Sequence, residues 1–185
     1  MSNLIVSSLP IKARSRSARG NFSAELPPVL FLLFFFFVFP MINMGTIALR
    51  YCLLAEACRD GAHTAATSYT FETGSPGKPS ALEGVPPVVS EFASRYSGID
   101  VTGIDVDILV TDIDTQQVTR YTGKLQQPAN TQNNLYALET IVTGNLEPLL
   151  DYQGPVFFNI PGLTSPWSVT VRSREFAESP QGLNQ

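Results

Sequence analysis

Between Leu26 and Leu49 the chain reads LPPVLFLLFFFFVFPMINMGTIAL, without one charged side chain. As a helix, these 24 residues would extend about 36 Å, against a hydrocarbon core of roughly 30 Å. The apolar part of a cleaved secretory signal is shorter, roughly 7–15 residues. The run is therefore read as a retained transmembrane helix at about 26–49, and the rest of the chain is organised around it.

The flanks set an orientation. Residues 1–20 carry Lys12, Arg14, Arg16 and Arg19 and no acid, while Arg50 stands alone at the far end of the run. Positive flanks stay in the cytoplasm, so the N-terminus is expected inside and residues beyond about 50 outside. The full chain has a formal charge of −4, and the acids are concentrated after residue 20. An acidic outer part makes a poor nucleic-acid binder.

A helix is expected to begin near Ser23 to Pro28 and to continue past the membrane to about Tyr69. Pro27 and Pro28 suit a first turn, where the missing N–H groups have no partner to lose. Pro40 falls mid-span and should kink the helix. Beyond the run, ALRYCLLAEACRDGAHTAATSYTF keeps strong helix formers and a small-residue stripe, Ala55, Ala62, Ala65 and Ala66. Cys52 and Cys58 lie on this stretch, six residues apart and on different faces. A rise of about 9 Å between them is too long for a mutual disulfide. Each is read either as a packed small residue or as a candidate for an intermolecular crosslink.

Residues 72–84, ETGSPGKPSALEG, read as a loop. VPPVVSEFASRYSG follows as a short helix with Val88, Val89, Phe92 and Tyr96 on one face and Gly98 at its end. After it the period changes to two. Ile104, Val106, Ile108 and Val110 alternate with Asp105, Asp107 and Thr111, a half-buried strand. VTRYTGKL returns as its hairpin partner, LYALETIVTGNL is a third strand, and PWSVTVRSREFAE a fourth. In the last, Val169 and Val171 point inward and Arg172 and Arg174 outward, in reach of the aspartates. VFFNI, residues 156–160, reads as a short edge strand. The fold class is α+β: a long helix, a short helix, then an antiparallel sheet of about four strands. The organisation is a basic leader over 1–20, the long helix over 21–71 and an α+β domain over 72–185.

Enzyme signatures are thin. His63 is the single histidine and sits among alanines on the helix, and no nucleophile–base or phosphate-binding motif occurs. Asp105, Asp107, Asp112 and Asp114 raise a Ca²⁺ reading, with Asp112 and Asp114 the candidate ligands. DIDTQQ lacks the glycine and distal glutamate of an EF-hand loop, so a solvated acidic face is preferred, with no cofactor.

One arrangement carries a mechanism. RSARGNFSAELPPVLFLLFFFFVFP places a basic leader, Gly20, four residues, Glu25 and an apolar helix in that order. It resembles the prepilin motif of type IV pilins and pseudopilins, and most of all the TadE-like minor pseudopilins of the Tad (tight adherence) pilus. LLAEACRDGAHTAATS resembles that group's alanine-rich periplasmic helix, and PGLTSPWSVTVRSREFAE its closing strand. The resemblance implies a pilin-like, non-enzymatic subunit of the bacterial inner membrane. A prepilin peptidase would cut between Gly20 and Asn21. Glu25, fifth in the mature chain, would meet the α-amine of a neighbouring pilin-like subunit. Partners would be such subunits, Tad assembly proteins and membrane lipid. A carboxylate at this depth costs several kcal/mol unless partnered, roughly 2.5–3.5 on insertion scales. Asn21 and the pair Pro27–Pro28 depart from the type IV pattern. Two other readings stay open: a pseudopilin of a type II secretion system, and an uncleaved, membrane-anchored binding domain, with Ca²⁺ as one ligand.

Overall fold

The computed structural model describes residues 22–150 and 160–185, with side chains in the first helix from Glu25 onward. The leader, Gly20 and Asn21, and all but the last residue of the VFFNI strand lie outside the described residues.

Three helical segments run end to end. Helix α1 spans Phe22–Leu33, a π-helical turn spans Phe34–Val38, and α2 spans Phe39–Thr67. Pro27 and Pro28 therefore sit inside α1 and not in its first turn. A π turn lies just before Pro40, which stands in the first turn of α2. There the Phe39 N–H donates to the Phe34 carbonyl, five residues back. Proline, lacking an N–H, disturbs the hydrogen-bond ladder on its N-terminal side, and a widened turn takes up the mismatch.

Helix α3 spans Ala81–Ser94, one turn earlier than the sequence suggested. Ser80 and Glu83 form a reciprocal cap, with the Ser80 hydroxyl accepting from the Glu83 N–H and the Glu83 carboxylate accepting from the Ser80 N–H. This S-x-x-E box supplies the start signal in a stretch otherwise read as loop. The buried face is also rotated: Ala81, Val85, Val89 and Ala93 are buried, while Tyr96 is exposed.

Four strands follow: β1 over Ile99–Asp112, β2 over Val118–Tyr121, β3 over Asn134–Leu146 and β4 over Trp167–Phe176. All pairs are antiparallel, in the order β2-β1-β3-β4. Helix α2 packs against β3 and β4, and α3 against α2 and β1. The core lies between these two layers. Leu54, Ala57, Cys58 and Ala65 of α2 meet Ile108, Leu138, Val142, Leu146, Val169 and Val171 of the sheet. Small residues bring α2 close: a Cβ on Gly61 would press into Val89, Thr140 and Val85. The C-terminal half of α2 is thus part of the α+β core.

Candidate functional site: the bare helix and its clasp

The first half of the long helix has almost nothing packed on it. From Glu25 to Ile42 every residue is exposed or half-exposed, and Phe31, Phe37 and Met41 are 65%, 64% and 72% exposed. An apolar surface this long is not left bare in water. The helix from Glu25 to Thr67 is long and apolar enough to cross a membrane. Glu25 is exposed in the first turn, where the helix dipole favours an anion, and it has no ion-pair partner among the described residues.

Burial begins abruptly at Asn43, inside the uncharged run. Its amide Nδ2 donates to the carbonyls of Leu150 at 3.1 Å and Leu163 at 2.9 Å, and its Oδ1 accepts the Leu150 N–H at 3.0 Å. One side chain therefore ties the helix to both flanks of the β3–β4 connection. Ile47, one turn on, is buried. Another turn on, Arg50 is 8% exposed, donating through Nε to the Ser97 carbonyl at 3.0 Å and through Nη1 to the Glu147 carbonyl. Its guanidinium lies directly on Gly98, whose φ is +79°. A Cβ there would fall inside the guanidinium. Arg50 is therefore not a solvated flank of the apolar run, and Gly98 does not end a helix. Together they form a clasp between α2 and the loops at this end of the sheet.

The two cysteines differ. Cys52 is exposed; Cys58 is buried, with its thiol donating to the Thr140 carbonyl at 3.2 Å, and both are free. Burial pushes the Cys58 thiol up to about 11. A crosslink to another subunit is thus open to Cys52 only. His63 projects from the exposed side of α2 and meets Glu175 of β4 at 3.1 Å. That carboxylate, by hydrogen bond and then by charge, raises its pKa above the usual imidazole value.

The outer face of the sheet carries a charge cluster rather than a solvated acidic stripe. Glu139 of β3 is fully buried, though it lies on the face away from the helices. Arg174 reaches its Oε1 at 2.5 Å, while Arg120 and Arg172 approach its Oε2. Arg120 also meets Asp107 at 2.7 Å, and Asp107 is only 6% exposed. Arg172 and Arg174 do point outward, but their carboxylate partner is Glu139. Asp112 is spent locally: its Oδ1 accepts from the N–H groups of Asp114 and Thr115 and from the Thr115 hydroxyl, holding its pKa down through those bonds. Among the described residues no group of three or more His, Cys, Asp or Glu side chains is placed to hold a metal. A shallow hollow beside the cluster, lined by Leu109, Ala137, Arg174 and Phe176, holds about 180 Å³. That is smaller than the roughly 300–1,000 Å³ of ordinary ligand pockets.

No protein family, curated protein or solved structure matches this chain.

Sequence reasoning passed over Asn43 and Glu139 and misread Arg50 and Gly98. Asn43 had a usable signal, because it is the one amide in the uncharged run, and polar groups there are rarely kept without a partner. Glu139 had one too: it shares a strand face with Ala137 and Ile141, opposite strands that carry arginines.

Proposed function

We propose that this chain is a minor pseudopilin, a non-enzymatic structural subunit of a Tad-type pilus assembly, anchored in the bacterial inner membrane with its α+β domain outside the cytoplasm. A prepilin peptidase cuts between Gly20 and Asn21. Glu25 then pairs with the α-amine of an adjacent pilin-like subunit, and the bare helix packs into a bundle with others. The observation that carries the reading is one helix serving two environments. Its first half is bare and apolar, with a carboxylate in the first turn that has no ion-pair partner among the described residues. Its second half is the core of a small four-stranded α+β domain. A subunit that must be held in a membrane and later stack through its helix needs both halves and no enzyme site. The type II secretion reading shares all of these features. The Ca²⁺-binding reading is weakened by the use of Asp112 as a turn cap.

The test is co-expression with a prepilin peptidase, followed by intact mass of the membrane-extracted protein. Loss of residues 1–20 supports the proposal, and a chain starting at Met1 refutes it. Glu25→Ala is expected to leave cleavage intact and to abolish co-purification with partner pseudopilins. Unchanged co-purification removes the role given to Glu25.

A further inference from the structure

The clasp fixes the height at which the domain meets the membrane. If the hydrocarbon begins at Leu26, about 20 helical residues cross it, and the far boundary falls near Gly45. Asn43 lies on the membrane side of that boundary, yet it is hydrogen-bonded to Leu150 and Leu163 of the β3–β4 connection. The two described flanks of that connection, at Leu150 and Leu163, therefore cannot stand clear of the bilayer. Their apolar side chains match the position. Leu149, Leu150 and Ile160 are 55%, 41% and 47% exposed. Trp167, at the start of β4, is 45% exposed and lies at the height of Ile47, with Gly162 between the two. Tryptophan is the side chain most at home at a membrane–water boundary, its ring apolar and its N–H free to meet a headgroup.

We infer that Leu149, Leu150, Ile160 and Trp167 form a collar that inserts into the headgroup–acyl boundary of the bilayer around the emerging helix. The domain is thereby seated on the lipid surface instead of being suspended above it. This rests on the membrane-span reading of α1 and the start of α2, and goes beyond it: a simple anchor does not require its domain to touch lipid. The occupant is lipid and not a second copy of the chain, because the side chains flank the point where Asn43 ties two separate segments to the helix, the level at which that helix itself passes from bare to buried.

Trp167 is the only tryptophan, so the full chain carries its own probe. The full-length protein is reconstituted into phosphatidylcholine–phosphatidylglycerol vesicles, with and without lipids brominated near the upper end of the acyl chain. The expected result is an about twofold loss of Trp167 emission with brominated lipid, together with protection from aqueous acrylamide. A parallel sample carries Phe37→Cys in a Cys52→Ser background and is treated with a membrane-impermeant maleimide. Phe37→Cys blocked but Trp167 untouched by brominated lipid overturns the collar and leaves the span standing. Trp167 shielded from acrylamide yet blind to brominated lipid also overturns it, in favour of a second protein surface. Phe37→Cys labelled in intact vesicles removes the span, and the collar with it.

Discussion

Gly98→Ala tests the clasp most directly. Gly98 has a φ of +79°, a conformation that costs a side-chain-bearing residue about 1–2 kcal/mol. A methyl there also displaces the Arg50 guanidinium, because the added carbon would occupy the same space. Arg50 then loses its bonds to the Ser97 and Glu147 carbonyls. Bonds to a charged donor contribute about 1.5–3 kcal/mol each, and partial resolvation returns some of this, so a loss of about 2–3 kcal/mol for the pair is reasonable. The expected destabilisation is about 3–5 kcal/mol. Arg50→Ala alone should cost about 2–3 kcal/mol, from the same two carbonyls. In the double variant the guanidinium is already gone, so Gly98→Ala adds only its backbone strain. The double variant should therefore be destabilised by about 2–3 kcal/mol less than the sum of the singles, the Arg50 loss counted once. Urea unfolding of the full-length protein in mild detergent, followed by Trp167 emission, reads all three values. Additive single effects, or a Gly98→Ala cost under about 1 kcal/mol, would refute the account of Arg50 seated on Gly98.

Asn43→Ala should free both flanks of the β3–β4 connection and cost about 1–3 kcal/mol, with faster hydrogen exchange at the Leu150 amide; an unchanged rate there contradicts the tie. The lone histidine should titrate above its ordinary value of 6.5, because Glu175 favours the charged ring. The stabilising contact is thus fully present below about pH 6.5 and fades as pH rises through the raised pKa, and Glu175→Gln should bring the NMR midpoint back down. A wild-type midpoint at or below 6.5 sinks this. Maleimide should modify Cys52 in the folded protein and Cys58 only after unfolding, since burial both hides that thiol and keeps it protonated; equal rates for the two would show that the α2–sheet packing is wrong.

Period was the feature that transferred from sequence to structure. The uncharged run at 26–49, the two-residue alternation of Ile104 to Val110 and the inward Val169 and Val171 are all local patterns, and each element lies close to where they put it. What failed to transfer depends on partners distant in sequence. Arg50 looks like a flanking charge until Ser97, Gly98 and Glu147 are brought beside it, 47 and 97 residues away for the two carbonyls. Asp107 and Glu139 have the alternation of solvent-facing residues. They are covered because Arg120, Arg172 and Arg174 on neighbouring strands fold over them. The start of α3 was a local signal that lost to another one. Gly and Pro around Ser80 read as loop, while the Ser80–Glu83 box, which decides the matter, spans only four residues. Of the pilin-like motif, Glu25 lies among the described residues, while the Gly20–Asn21 junction does not.

Because the bare apolar half of the helix runs on into the core without a break in helical structure, continuous backbone joins the two. The helix behaves as a shaft keyed to the loops at one end of the sheet by Asn43 and Arg50, with Ile47 buried between them. Sliding one such shaft along a neighbour by a single residue would raise the sheet by about 1.5 Å, and restoring the same side-chain contacts would turn it by about 100°. In the proposed pilus, the step between stacked subunits would therefore dictate where every outer sheet face points, a geometric ratchet written into one uninterrupted backbone.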